Sequence, residues 1–216
     1  MFKNREMKNI ILTITVILLI NCSRNEEPIA TRTKLFSNKE MVTKPFQVKS
    51  GVIKYQITLQ GKVFDNKITG TGTETLYFKN WGKMTLNQSI VNKIISNGIN
   101  ETHQQIKKTQ KTEGNIKYTV HYKTKTITKE KISFNTTDSS ILEQNGAVNM
   151  GCEVIQGYNC TLWKIENTKQ WIYKGIPLKT VIKIMGVTTV KEAVLANFNL
   201  YISDDVFSLP SYPIKE

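Results

Sequence analysis

Met150–Met185 reads MGCEVIQGYNCTLWKIENTKQWIYKGIPLKTVIKIM. Short runs of strand-forming residues alternate here with tight-turn signals, Gln156-Gly157-Tyr158-Asn159, Glu166-Asn167-Thr168-Lys169 and Lys174-Gly175. Val, Ile, Thr and aromatic side chains suit the pleated surface of a sheet, and Gly or Asn supplies the positive φ of a two-residue hairpin. The stretch therefore predicts four strands, Cys152–Ile155, Cys160–Ile165, Gln170–Tyr173 and Ile176–Met185, joined as an antiparallel meander. It also holds two of the three cysteines and two of the three tryptophans, so it is the first place to look for a site.

The same grammar runs outward from it. In Val52–Gln60, Ile53, Tyr55, Ile57 and Leu59 alternate with polar residues, the mark of a half-buried strand. Gly70–Phe78 and Lys83–Ile95 continue the pattern, and Asn97-Gly98 is a hairpin turn. Ile99–Thr112 is very polar but fits a strand. Ile116, Tyr118, Val120 and Tyr122 alternate strictly with Lys, Thr and His, and Thr126–Phe134 pairs with or extends that run. One helix is predicted, over Thr137–Met150, with Gly151 beyond its end. Val190–Ile202 is the last long strand. The tail Phe207–Ile214 is apolar with two prolines and should pack as an extended edge. The fold class is mainly β (α+β), a single antiparallel meander of about nine or ten strands. A twisted sheet of that size must curl, split or close.

A chain of 216 residues suggests one domain with appendages. The net charge is +13, and about +11 remains without residues 1–21. That charge can reflect an AT-rich coding composition, since Lys, Asn, Ile and Thr are all abundant. It can also reflect a surface for an acidic polymer.

Residues 1–9 are basic and 10–20, IILTITVILLI, are apolar. Eleven residues cannot span a core of roughly 30 Å at about 1.5 Å each, so 1–21 reads as a secretory signal. Leu19-Ile20-Asn21-Cys22 resembles the lipobox of bacterial lipoproteins, although Asn21 stands where Gly, Ala or Ser is usual. The resemblance implies that Cys22 is the lipid attachment point, with palmitate-type acyl chains. Residues 22–45 are then a lipid-anchored tether and 46–216 the folded domain. Ser23 rather than Asp after the cysteine favours the outer membrane over the inner under the same family rule. The expected location is the cell envelope, facing the periplasm.

GVIKYQITLQG, GTETLYF, MGCEVIQGYNC, WIYKGIPLK and the final F-x-L-P resemble uncharacterised bacterial periplasmic lipoproteins with the LolA/LppX-like half-barrel, a family of unknown function. The resemblance implies a strongly curved sheet with the short helix on its concave side. It also implies an apolar hollow of the kind that holds acyl chains in the named carriers.

No catalytic constellation is visible. His103 and His121 lie in polar strands without metal-ligand spacing, and the four aspartates fall at turns or strand ends. Gly70-Thr71-Gly72 reads as a bulge or a bend. Cys152 and Cys160 flank one hairpin and face each other if their register allows a disulfide. No metal, cofactor or nucleic acid is expected, and the protein reads as non-enzymatic. Three functions stay open. One is the binding or carrying of a hydrophobic ligand such as a lipid, in a cavity lined by Ile53, Tyr55, Tyr77, Val120, Trp163 and Ile184. The others are a structural envelope lipoprotein with a filled core and a protein partner, and a polyanion-binding surface.

Overall fold

The computed structural model describes residues 44–132 and 139–215. The chain divides into two units, Met1–Glu40 and Met41–Glu216, and every described residue belongs to the second. The expected signal, Cys22 and all but the end of the expected tether lie outside the described residues. Among those described, no helix is long and apolar enough to cross a membrane.

Twelve strands form one sheet: β1 (Gly51–Val63), β2 (Asn66–Lys79), β3 (Met84–Ser96), β4 (Glu101–Glu113), β5 (Ile116–His121), β6 (Thr126–Lys131), β7 (Val148–Ile155), β8 (Tyr158–Ile165), β9 (Thr168–Tyr173), β10 (Ile176–Ile184), β11 (Val187–Phe198) and β12 (Ile214–Lys215). Their spatial order is β12-β6-β5-β4-β3-β2-β1-β11-β10-β9-β8-β7. Two meanders, β1–β6 and β7–β11, thus share one sheet through the β1–β11 pairing. All pairings are antiparallel except β12 on β6. The sheet stays open, with β7 and β12 as its edges.

The turns follow their chemistry. Gln156-Gly157, Lys174-Gly175 and Met185-Gly186 each place two residues at positive φ, which matches the twist of the flanking strands. In the Asn97 turn, the Asn97 side chain accepts from the backbone N–H of Ile99 and Asn100. The polar β4 is a full strand because its ladder to β3 is made by backbone groups, whatever its side chains.

Three register irregularities, one of them in β7–β8, and two sites of close strand approach mark the sheet. The β1–β11 register steps between Lys54 and Tyr55, with Val194 as the extra residue, and the β9–β10 register steps at Leu178. A bulged strand bends and twists more steeply. Gly70 and Gly72 sit in an unbroken register, so they mark close approach rather than a bulge. A Cβ on Gly72 would lie 2.4 Å from the Ile90 carbonyl oxygen and 2.8 Å from Val91 Cα.

The curvature is severe. The Tyr158 ring on β8 lies 4.9 Å from the Phe198 ring on β11, and the Tyr158 hydroxyl donates to the Ala196 carbonyl at 3.2 Å. In a flat sheet those strands would stand about 14 Å apart. The main core forms where β7–β10 fold back over β1, β2 and β11. It joins Ile53, Tyr55, Phe78, Cys160, Leu162, Trp171, Ile176 and Leu178. Each such large side chain contributes about 1.5–3 kcal/mol by leaving water.

The helix is shorter than predicted. α1 spans Ser139–Gln144, and Gly146, at φ +79°, follows its end. Val148 and Asn149 instead pair with Lys164 and Trp163 in the sheet. Gly151, expected just past the helix, serves an irregularity in β7 at φ +105°. Ladder bonds along an edge outweigh two further turns of a helix with few apolar residues. α1 sets Leu142 against Trp163 and Ile172.

The chain beyond β11 runs across the sheet's other face to β6. Asn199 N–H donates to the Ser50 carbonyl, Lys79 pairs with Asp204 and lies over the buried Phe207 ring, and Ile127 N–H donates to the Pro213 carbonyl. The predicted extended tail thus ends as the parallel strand β12.

Candidate functional site

Register assigns the side chains of β1–β4 to a face. One cross-strand row runs through seven strands: Gln170 (β9), Thr180 (β10), Lys191 (β11), Ile57 (β1), Gly72 (β2), Val91 (β3) and Ile106 (β4). In a flat sheet β4 and β9 would be about 29 Å apart. Here Ile106 and Gln170 line the same cavity of about 440 Å³, so this face is the hollow one. Its lining is divided. Ile57, Leu59, Val91, Ile106 and Ile182 make an apolar wall, and Glu74, Gln170, Thr180, Thr189 and Lys191 make a polar one. The volume falls in the range of small-molecule sites, roughly 300–1,000 Å³.

The polar wall holds an ion pair. Lys191 Nζ donates to Glu74 Oε1 at 2.7 Å, and both side chains are largely shielded, with 27% and 12% of their surface exposed. Lys191 also lies over the Tyr55 ring, 4.8 Å from its centre. The Tyr55 hydroxyl donates to the Pro177 carbonyl at 3.0 Å. Burial, reinforced by the neighbouring Glu74 carboxylate, holds the Tyr55 phenol far above the ordinary tyrosine range. Tyr55 is thus a neutral, fixed donor beneath the cavity.

The predicted lining residues fall into three groups. Ile53 and Tyr55 share the hollow face but are sealed in the core, and Trp163 lies apart from that core in a second cluster with Ala147 and Ile172, covered by Leu142. Ile184 shares that face at its open end and is 59% exposed. Tyr77 and Val120 correct the expectation, because they point to the opposite face. Tyr77 pairs with Val52, and Val120 pairs with Thr109, which pairs with Gln88. The residues that do line the cavity sit further along β1, β2 and β10 and on β3, β4, β9 and β11, which the expectation left out. Glu74 and Lys191 carry no local signal, being 117 positions apart.

The expected disulfide is also corrected. Cys152 pairs with Thr161 and Cys160 with Glu153, so the two thiols point to opposite faces and no disulfide joins them. Burial is the main cause that pushes the Cys160 thiol up to about 11.

A larger groove of about 680 Å³ lies toward the far ends of β1–β4, among Thr58, Gln60, Thr69, Asn92, His103 and Gln105. No ion pair lies among its lining residues, whereas Glu74 and Lys191 pair in the hollow, so the hollow face is the stronger site. Among the described residues, no three His, Cys, Asp or Glu side chains gather to hold a metal.

No protein-family model matches the chain, and no curated protein matches it. Solved structures do. An uncharacterised conserved protein from Thermus thermophilus is 10% identical, with a TM-score of 0.40 over 75% of this chain and 89% of its own. An outer membrane lipoprotein-sorting protein domain from Vibrio parahaemolyticus is 10% identical, with a TM-score of 0.31 over 76% of this chain and 91% of its own. LprF from Mycobacterium bovis is 8% identical, with a TM-score of 0.28 over 74% of this chain and 89% of its own.

Proposed function

We propose that the protein is a lipid-anchored lipoprotein of the bacterial cell envelope, facing the periplasm, that binds or carries an amphipathic small molecule on the hollow face of its sheet. The observation that carries this reading is the divided cavity. A structural platform would fill the space with side chains, as the core beside it is filled. No acid, base and nucleophile converge there as a catalytic set, so the reading is non-enzymatic. Saturable binding of the uncharged dye Nile red, lost when the cavity is plugged, tests it.

Anchoring rests on the sequence around Cys22. Acylation at one cysteine would hold the domain stably at a membrane. The intact mass of protein extracted from membranes should equal the chain from Cys22 onward plus acylated diacylglyceryl. A mass equal to an unmodified chain would reject the anchor.

A further inference from the structure

We infer that the cavity selects an amphiphile with an uncharged, hydroxyl-bearing head over one with an ionised carboxylate. This rests on the carrier reading above and specifies its ligand class.

The argument begins with the cost of the Glu74–Lys191 pair. Shielding two charges from water is expensive, and a buried pair is often matched or bettered by apolar residues of equal volume. Stability alone gives no reason to keep it in the wall of a cavity. Its chemistry gives one. Lys191 has three donors and spends one on Glu74; Glu74 has two oxygens and engages one. The pair therefore offers the cavity both a donor and an acceptor while its net charge stays near zero. Thr180 adjoins Lys191 in the cross-strand row, Gln170 follows it, and the two add a hydroxyl and an amide. Beyond Lys191 in the same row, Ile57, Gly72, Val91 and Ile106 are apolar. A ligand matched to this row has a polar end that both donates and accepts, joined to a hydrocarbon end.

A hydroxylated head meets that demand, giving its O–H to Glu74 and accepting from Lys191. An ionised carboxylate accepts from Lys191 but brings a second negative charge beside Glu74, which disfavours it. Tyr55 cannot relieve that repulsion, because its hydroxyl is committed to the Pro177 carbonyl.

The test is displacement of Nile red from the full chain by a monoacylglycerol and by the fatty acid of the same chain length, at a pH where the acid is ionised. The wild type should bind the monoacylglycerol at least about tenfold more tightly. Glu74→Gln removes the repelling charge and keeps Lys191, so the preference should reverse toward the acid. The double variant Glu74→Gln/Lys191→Gln keeps volume and hydrogen bonding without either charge, and its preference should shrink to within about twofold. It serves if the single variant fails to fold. Equal affinities in the wild type, or a preference unmoved by either variant, would overturn the inference and leave the carrier reading intact. Failure of Nile red and both amphiphiles to bind would sink the carrier reading itself.

Discussion

Tyr55 shows how one side chain serves both core and cavity. Its ring is buried among Ile53, Phe78 and Leu178, and its hydroxyl crosses to β10 to meet the Pro177 carbonyl. Tyr55→Phe removes that donor and leaves a shielded carbonyl without its partner, at a cost of about 1–3 kcal/mol. The phenol also ties stability to pH. Its folded pKa is raised, so the stabilisation it brings is complete below the unfolded tyrosine value of about 10 and is lost as pH climbs above that value. Chemical denaturation of Tyr55→Phe should therefore show lower stability at neutral pH and a shallower alkaline decline than the wild type. A parallel decline in both proteins would mean that other groups govern the alkaline limb.

At the scale of elements, the close approach of β2 to β3 depends on glycines that face the hollow. Gly72→Val would drive its side chain into the Ile90 carbonyl and Val91 Cα, both backbone, so nothing small can move aside. The expected loss is about 1–3 kcal/mol, read by urea denaturation, together with weaker dye binding because Val91 lines the cavity. Unchanged stability would show that β3 can move away without loss. Elements are also where the sequence was most legible. The alternation of Ile53, Tyr55, Ile57 and Leu59 announced both the strand and its buried face, and the X-Gly turns announced the hairpins. The disulfide was not legible, because Cys152 and Cys160 depend on a register that no local pattern sets. Tyr77 and Val120 failed for a related reason. Both faces of β2–β5 carry apolar residues, one set beneath the hollow and the other beneath the returning C-terminal chain, so alternation alone cannot name the inner face. The helix ends before its sequence pattern predicts because Val148 and Asn149 gain more from the sheet edge than from helical bonds.

At the scale of the molecule, the sheet does what its length predicts. Twelve twisted strands curl instead of lying flat. Curling brings together residues that sequence keeps far apart. Ile106 and Gln170 come to line one space, while the pairing of β2 and β11 on either side of β1 sets Glu74 beside Lys191 in its polar wall. The hollow could be foreseen from strand count, but its two-sided lining could not, since that emerges only once the register is fixed across β9, β10, β11, β1 and β2. The working surface is thus a property of the whole sheet, and the Cys- and Trp-rich hairpins from Met150 to Met185 mainly build the frame that bends it.

The most direct test of the hollow as a binding site is titration with Nile red of the wild type and of Val91→Trp, whose indole would occupy the apolar wall. The wild type should bind saturably, and Val91→Trp should bind at least about tenfold more weakly while its circular dichroism spectrum and melting temperature stay close to the wild type. No saturable binding by the wild type, or equal binding by a correctly folded Val91→Trp, would contradict a ligand site on the hollow face.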